Sequence, residues 1–306
     1  MFSLALLIAS SRGAMYSRSE NTPMRPDARY VLICWVFAAT ACTTYKVPLT
    51  ADTAPVLLFN GAGTSANDVA AIEALLNTNH LSYSTVNSSQ LNQMSASQLK
   101  KYRLLIVPGG NFIDIAKNLT PDTTAKIHTA VQNGLNYLGI CGGAFFASNY
   151  PGYNGLNLTS GVRFGFYSAE EKGIRKTAVP IAVTQGPTQD QYWEDGPQLS
   201  GWGAVVGKYP DGTTAIAEGT FGSGWMILTG VHPEAPENWR HGMNFKTPAS
   251  TDNEYAGTLI RAALDGEPLP HYCLVLPSTN GQECLWISSN PALAISVISV
   301  YTEYRE

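Results

Sequence analysis

Charge is scarce in this chain. Of 306 residues, 19 are Lys or Arg and 23 are Asp or Glu, leaving a formal net charge of −4 and no basic cluster. That excludes the electrostatic footprint of a nucleic-acid-binding protein. Cysteine is scarce too, with five residues, and no His/Cys group has metal-ligand spacing, so no metal and no other cofactor is expected. No internal repeat or low-complexity tract interrupts the sequence. What is there is 44% apolar, with 28 glycines and 15 tyrosines. Such a composition suits a loop-rich globular protein with one sizeable core.

Residues 1–50 read as a leader and linker. Arg25 and Arg29 give a positive segment, Tyr30 to Ala38 an apolar one, and Ala39-Thr40-Ala41-Cys42 a close of small residues. This is the layout of a secretory signal with Met24 as the natural start, and the apolar run is too short to span a bilayer. Its end resembles a bacterial lipobox, except that Ala39 stands where Leu is usual. Cys42 is either a lipidation site that tethers the protein to a membrane or the neighbour of a plain cleavage near Ala41. Export to a bacterial periplasm, or anchoring as a lipoprotein, is expected; the alternative is a membrane anchor or an unusual leader. Cys34 lies inside the leader. Cys273 and Cys284 fall in a C-terminal extension, residues 266–306, where they are either a disulfide of an exported protein or two free thiols.

Residues 55–265 carry the organised pattern. Val56–Phe59 is an apolar strand, followed by a glycine turn and the helical spacing of Val69, Ile72, Leu75 and Leu76, with Ser65 or Asn67 as cap. A strand over 82–86 and a short helix from Ser95 come next. Leu104–Val107 is a buried strand that Pro108-Gly109-Gly110 ends sharply. A helix follows from Pro121 to Asn133, capped by Thr120 and stopped by Gly134, and then a strand to Ile140. This alternation predicts an α/β fold with a mainly parallel sheet and helices on both faces. Beyond Pro151, short strands at 179–183, 204–206, 214–217 and 225–228 predict an antiparallel extension. A closing helix is expected over 251–264, with Gly266 past its end.

The chemistry centres on Cys141. A strand running into a helix through Gly139-Ile140-Cys141-Gly142-Gly143 forces the cysteine into a tight turn at the carboxyl end of the sheet. There its sulfur faces the positive end of the next helix, which favours the reactive thiolate. The bland alternative is a buried structural cysteine. A thiol nucleophile needs a base and a group that orients the base. Of the five histidines, only His232 directly follows a strand, and Glu234 lies two residues on across Pro233, so one loop presents imidazole and carboxylate together. His80 and His128 read as surface residues, and His241 and His271 lie in irregular stretches. Gly110 and Gly142 N–H groups are candidates for an oxyanion hole. Asn60, Gly61 and Gly109 sit at strand ends on the same rim. Trp193, in the aromatic and acidic segment 192–197, belongs either to a substrate cleft or to a surface hairpin.

Pro-Gly-Gly after a strand, Gly-Ile-Cys-Gly-Gly at the elbow and His-Pro-Glu at the end resemble the class I glutamine amidotransferase superfamily. Gly61 to Ser65, the elbow with Phe145-Phe146, and Gly230 to Glu234 are similar, more narrowly, to the biotin–protein ligase N-terminal domain family. The resemblance spans about residues 55–265. It implies a flavodoxin-like three-layer fold and a triad of Cys141, His232 and Glu234. No synthetase domain that would consume ammonia and no biotin-transfer module is apparent, so neither activity carries over. The expectation is an exported cysteine-dependent hydrolase or acyl-transfer enzyme acting on the C–N bond of a small or peptide-like amide. The alternative is a catalytically silent ligand-binding envelope protein with the same fold.

Overall fold

A computed structural model describes residues 54–272 and three short strands at 274–276, 283–286 and 296–299. The leader, with Cys34 and Cys42, lies outside the described residues, and so does the Cys273–Cys284 pairing.

Five parallel strands form the centre. They are β1 (Val56–Phe59), β2 (Tyr83–Val86), β3 (Leu104–Val107), β4 (Asn136–Ile140) and β11 (Gly224–Thr229), arranged in the order β2-β1-β3-β4-β11. The order 2-1-3-4 of the first four is that of flavodoxin-like folds. β1 and β3 are buried at every residue, as strands covered on both faces must be. Alternate residues divide between two apolar layers. Leu58, Ile106 and Leu138 face α1 (Ala66–Thr78) and α7 (Ala249–Asp265). Leu57, Leu105 and Tyr137 face α5 (Pro121–Gln132) and α6 (Gly142–Ala147). The result is the expected three-layer α/β sandwich.

Local signals set several boundaries. Ser65 Oγ accepts from Asp68 N at the start of α1, Thr120 caps α5, and Gly266 closes α7 with φ 68°. Three short helices accompany them: α2 (Ser88–Gln93) and α4 (Phe112–Lys117), which the apolar periodicity did not reveal, and α3 (Ala96–Leu99), whose start at Ser95 it did. Asn87 and Ser95 start α2 and α3 with capping boxes, and Asn111 caps α4.

The antiparallel extension is present and larger than the strand signals implied. β6 (Lys176–Val183), β7 (Gln189–Glu194), β9 (Ala204–Lys208) and β10 (Thr214–Phe221) continue the sheet from β11 in the order β10-β9-β6-β7, while β5 (Gly165–Phe166) and β8 (Pro197–Gln198) pair separately. Two expectations are corrected. The strand at 225–228 is not part of the extension: it runs antiparallel to its hairpin partner β10 but parallel to β4, with Met226 opposite Tyr137. A hairpin signal reports only the neighbour in sequence. The segment 192–194 is not a loop either, since it is the end of β7, paired along β6. The last three strands, β12 (Leu274–Leu276), β13 (Glu283–Trp286) and β14 (Ser296–Ser299), form their own antiparallel sheet.

Candidate active site

Cys141 sits between β4 and α6 with φ 48° and ψ −103°, a conformation few non-glycine residues adopt. Its N–H donates to Thr229 O at 2.8 Å, which ties the turn to β11. The flanking glycines are sterically required. A Cβ on Gly143 would stand 1.9 Å from Val107 O, and one on Gly139 2.7 Å from Gly143 O. These contacts bring the α6 backbone directly onto β3.

Gly110 and Gly142 also abut. A Cβ on Gly142 would lie 2.3 Å from Gly110 O and 2.9 Å from Gly110 N. Gly110 has φ 139°, and its neighbours bond across to the β1–α1 turn through Ser65 N to Gly109 O and Asn111 N to Gly63 O. Gly110 lines the same cleft as Cys141, and Gly142 follows Cys141 as the first residue of α6.

His232 follows β11, and its N–H donates to Tyr192 O at 2.8 Å. Its Nδ1 is 2.8 Å from Glu234 Oε1, the neighbour foreseen from His-Pro-Glu. The same nitrogen is 3.0 Å from Asp68 Oδ1, in the first turn of α1. All three side chains are buried. Burial works against charge on the imidazole, but Glu234, Cys141 and Asp68 outweigh it and hold His232 well above its ordinary value. Burial likewise pushes both carboxylates up. For Asp68 the His232 charge and hydrogen bonds prevail and hold it below the ordinary range, whereas for the fully enclosed Glu234 burial prevails. Two anions facing one cation are driven apart in this way, and Asp68 is the one we regard as ionised throughout.

Sequence reasoning missed Asp68. It lies 164 positions before His232, and an acidic residue in the first turn of a helix ordinarily serves the helix alone. Together the three residues bring one nitrogen and two carboxylate oxygens within 4.8 Å of one another, a set able to hold a cation once Nδ1 is deprotonated. A proton on Nδ1 instead makes one hydrogen bond, to Glu234, and leaves Asp68 as a second anion beside a charged ring.

A cleft of about 570 Å³ joins these parts. Cys141, His232, Asp68 and Gly110 line it, together with the aromatic Phe112, Phe145 and Phe166 and the charged Arg175, Glu194 and Asp195. Within it, the Cys141 thiol donates to Glu194 O at 3.4 Å rather than to His232. Gly109 lies under the pair: a Cβ there would be 2.2 Å from Asp68 Oδ1 and 2.6 Å from His232 Cε1. Trp193 does not reach the cleft. It is fully buried with Nε1 donating to Gly196 O, because alternate residues of β7 face opposite sides and Glu194 takes the cleft side. Asn60 and Gly61 do not line it either, since Asn60 N bonds to Val86 O and Gly61 is pressed against Phe59 and Ser88. His80 and His241 are exposed, His128 is half-buried against Leu156 O, and His271 sits near Glu218; none lines this cleft.

Residues 54–173 match the model of the family described as "Biotin-protein ligase, N terminal". No curated protein matches the chain. Among solved structures, a glutamine amidotransferase is similar at 17% identity over 59% of this chain and 90% of its own, with a TM-score of 0.47. A glutamine amidotransferase from Thermotoga maritima is similar at 12% identity over 69% of this chain and 89% of its own, with a TM-score of 0.39. An exo-beta-1,4-mannosidase from Opitutaceae bacterium strain TAV5 is similar at 14% identity over 70% of this chain but only 36% of its own, with a TM-score of 0.40. No helix of the described residues is long and apolar enough to cross a membrane.

Proposed function

We propose that the protein is a cysteine-dependent hydrolase or acyl-transfer enzyme acting on the C–N bond of an amide. Cys141 Sγ attacks the carbonyl carbon while His232 takes the thiol proton. The Gly110 and Gly142 N–H groups hold the oxyanion of the tetrahedral intermediate. Its collapse breaks the C–N bond, and His232 returns the proton to the leaving amine. Water, activated by the same imidazole, then hydrolyses the thioester, unless another acceptor takes the acyl group. Glu234 keeps the imidazole in the required orientation throughout. The observation that carries this reading is one cleft holding both the strained, φ-positive Cys141 and a carboxylate-bound His232.

One contact favours the silent, ligand-binding alternative: the thiol rests on Glu194 O and must turn from it to meet His232. Iodoacetamide labelling of Cys141 at pH 6 separates the two. Labelling faster than that of a free cysteine, with amide turnover lost in Cys141→Ala, supports the enzyme. Ordinary labelling, with turnover intact in that variant, ends it.

We further propose that the protein acts outside the cytoplasm, on the strength of the leader pattern from Arg25 to Cys42. Mass spectrometry of the mature N-terminus tests this. A start at Cys42 carrying lipid, or a cut near Ala41, is expected; an intact Met1 overturns it.

A further inference from the structure

We propose that Asp68 is a second positioning residue for His232, holding Nδ1 from helix α1 while Glu234 holds the same nitrogen from the loop after β11. The proposal rests on the reading of His232 as the base for Cys141.

His232 is the charged partner that accounts for the burial of Asp68. A helix gains from an acidic residue in its first turn while that residue stays solvated. Asp68 is instead 6% exposed, so its carboxylate has been taken out of water at a cost that only a partner offsets. Ser65 Oγ accepts from the Asp68 N–H, and its contribution to holding the carboxyl down ranks behind that of the His232 charge. Oδ1 has no hydrogen bond of good geometry, and its short polar contact is the ring nitrogen at 3.0 Å. Glu234 Oε1, at 2.8 Å, is the hydrogen-bond partner of Nδ1, and Asp68 stands beside it as the second anion.

The strand end beneath is shaped for this contact. Gly109 is the residue on which Asp68 Oδ1 and His232 Cε1 both rest, and the methyl of an alanine would overlap each of them. Glycine is needed there for space, not for φ, because Gly109 is absent from the φ-positive residues. β1–α1, β3 and β11 thus each contribute one part: the carboxylate, the floor and the ring.

The charged and titratable groups facing His232 are Asp68, Glu234, Cys141 and Tyr192, with Glu194 bonded behind Tyr192. Removing one anion from this set weakens the protonated ring whichever carboxylate the proton favours. With a second anion present, the imidazolium formed when Cys141 gives up its proton is balanced from two sides, and ring rotation about Cβ–Cγ breaks two contacts in place of one.

The test is the titration of the His232 ring, followed by NMR of its nitrogens in a Cys141→Ser background so that the thiol does not contribute. His232→Asn assigns the signal. In Asp68→Asn the midpoint should fall by about one pH unit or more, the effect of deleting an adjacent opposite charge. Gly109→Ala, which keeps the carboxylate but displaces it, should lower the midpoint in the same direction. A purely structural Asp68 would change the melting temperature and leave the midpoint in place. A midpoint unmoved in either folded variant overturns the proposal. Ordinary iodoacetamide labelling of the otherwise wild-type protein would overturn the catalytic reading instead, whatever the ring titration shows, so the two failures are told apart.

Discussion

The Cys141 thiol donates to the main-chain carbonyl of Glu194 at 3.4 Å, and not to the histidine that shares its cleft. An acceptor on the main chain cannot be titrated or removed by a side-chain substitution. The resting thiol is therefore held by the fold, and it must leave this carbonyl to meet His232.

Replacing the base tests that event. The anions around His232 hold it well above its ordinary value, so the imidazolium formed when Cys141 gives up its proton is stabilised. His232→Asn should slow alkylation of Cys141 at pH 6 by removing the group that accepts its proton. Unchanged alkylation would show that the two side chains act independently.

The elbow predicts a stability effect. In Gly143→Ala the new methyl would lie 1.9 Å from Val107 O, a backbone atom that cannot swing aside. Urea denaturation should show a loss of about 3 kcal/mol, the upper end of ordinary overpacking. An alanine tolerated without loss would mean that α6 and β3 are not in the contact described.

The loop carrying His232 is anchored by a buried ion pair. Arg240 bonds to Asp252 of α7 with both side chains almost fully enclosed, and Arg240 also donates to Thr247 O. From the same helix Asn253 donates to Pro233 O, between His232 and Glu234. Arg240→Met leaves the Asp252 carboxylate without its cation and should cost about 3–5 kcal/mol in thermal or urea unfolding. A neutral result would show that Asp252 is uncharged in the folded protein.

Stability should also depend on pH through Glu218. This residue of β10 is fully buried, and both its oxygens accept from Leu269 N. Burial raises its carboxyl from 4.5 to about 7, against the partial opposition of those bonds. A folded state that binds the proton more tightly than the unfolded chain loses stability as pH rises. Unfolding free energy from this group should thus be highest near pH 4.5 and fall on the way to pH 7. Glu218→Gln should flatten that fall, and a pH profile identical to wild type would refute the assignment.

Most of the parallel core was legible because its signals are local. Leu104–Val107, the Ser65 and Thr120 caps and the Gly139–Gly143 turn each declare themselves within a few residues. His232 and Glu234 were legible for the same reason, since one loop holds both. Asp68 was not, because its meaning lies in a ring that only folding brings near. The parallel pairing of β11 was hidden for a related reason: a hairpin with β10 says nothing of which strand lies on the other side. Trp193 was misplaced because the same stretch reads equally well as an aromatic loop or as a strand with one face in the core, and only the pairing with β6 decides.

Strand β7 ends with two carbonyls two residues apart. That of Tyr192 receives the His232 amide, and that of Glu194 receives the Cys141 thiol. Base and nucleophile are thereby measured off against one extended backbone, whose repeat over two residues is about 6.7 Å. β7 is the last strand in the sheet order, paired with the strand β6 on one side and meeting His232 through the Tyr192 bridge on the other. The gauge that spaces the two reacting groups is thus the rim of the sheet. Whatever grips or loosens that rim resets the nucleophile and the base together, without touching either side chain.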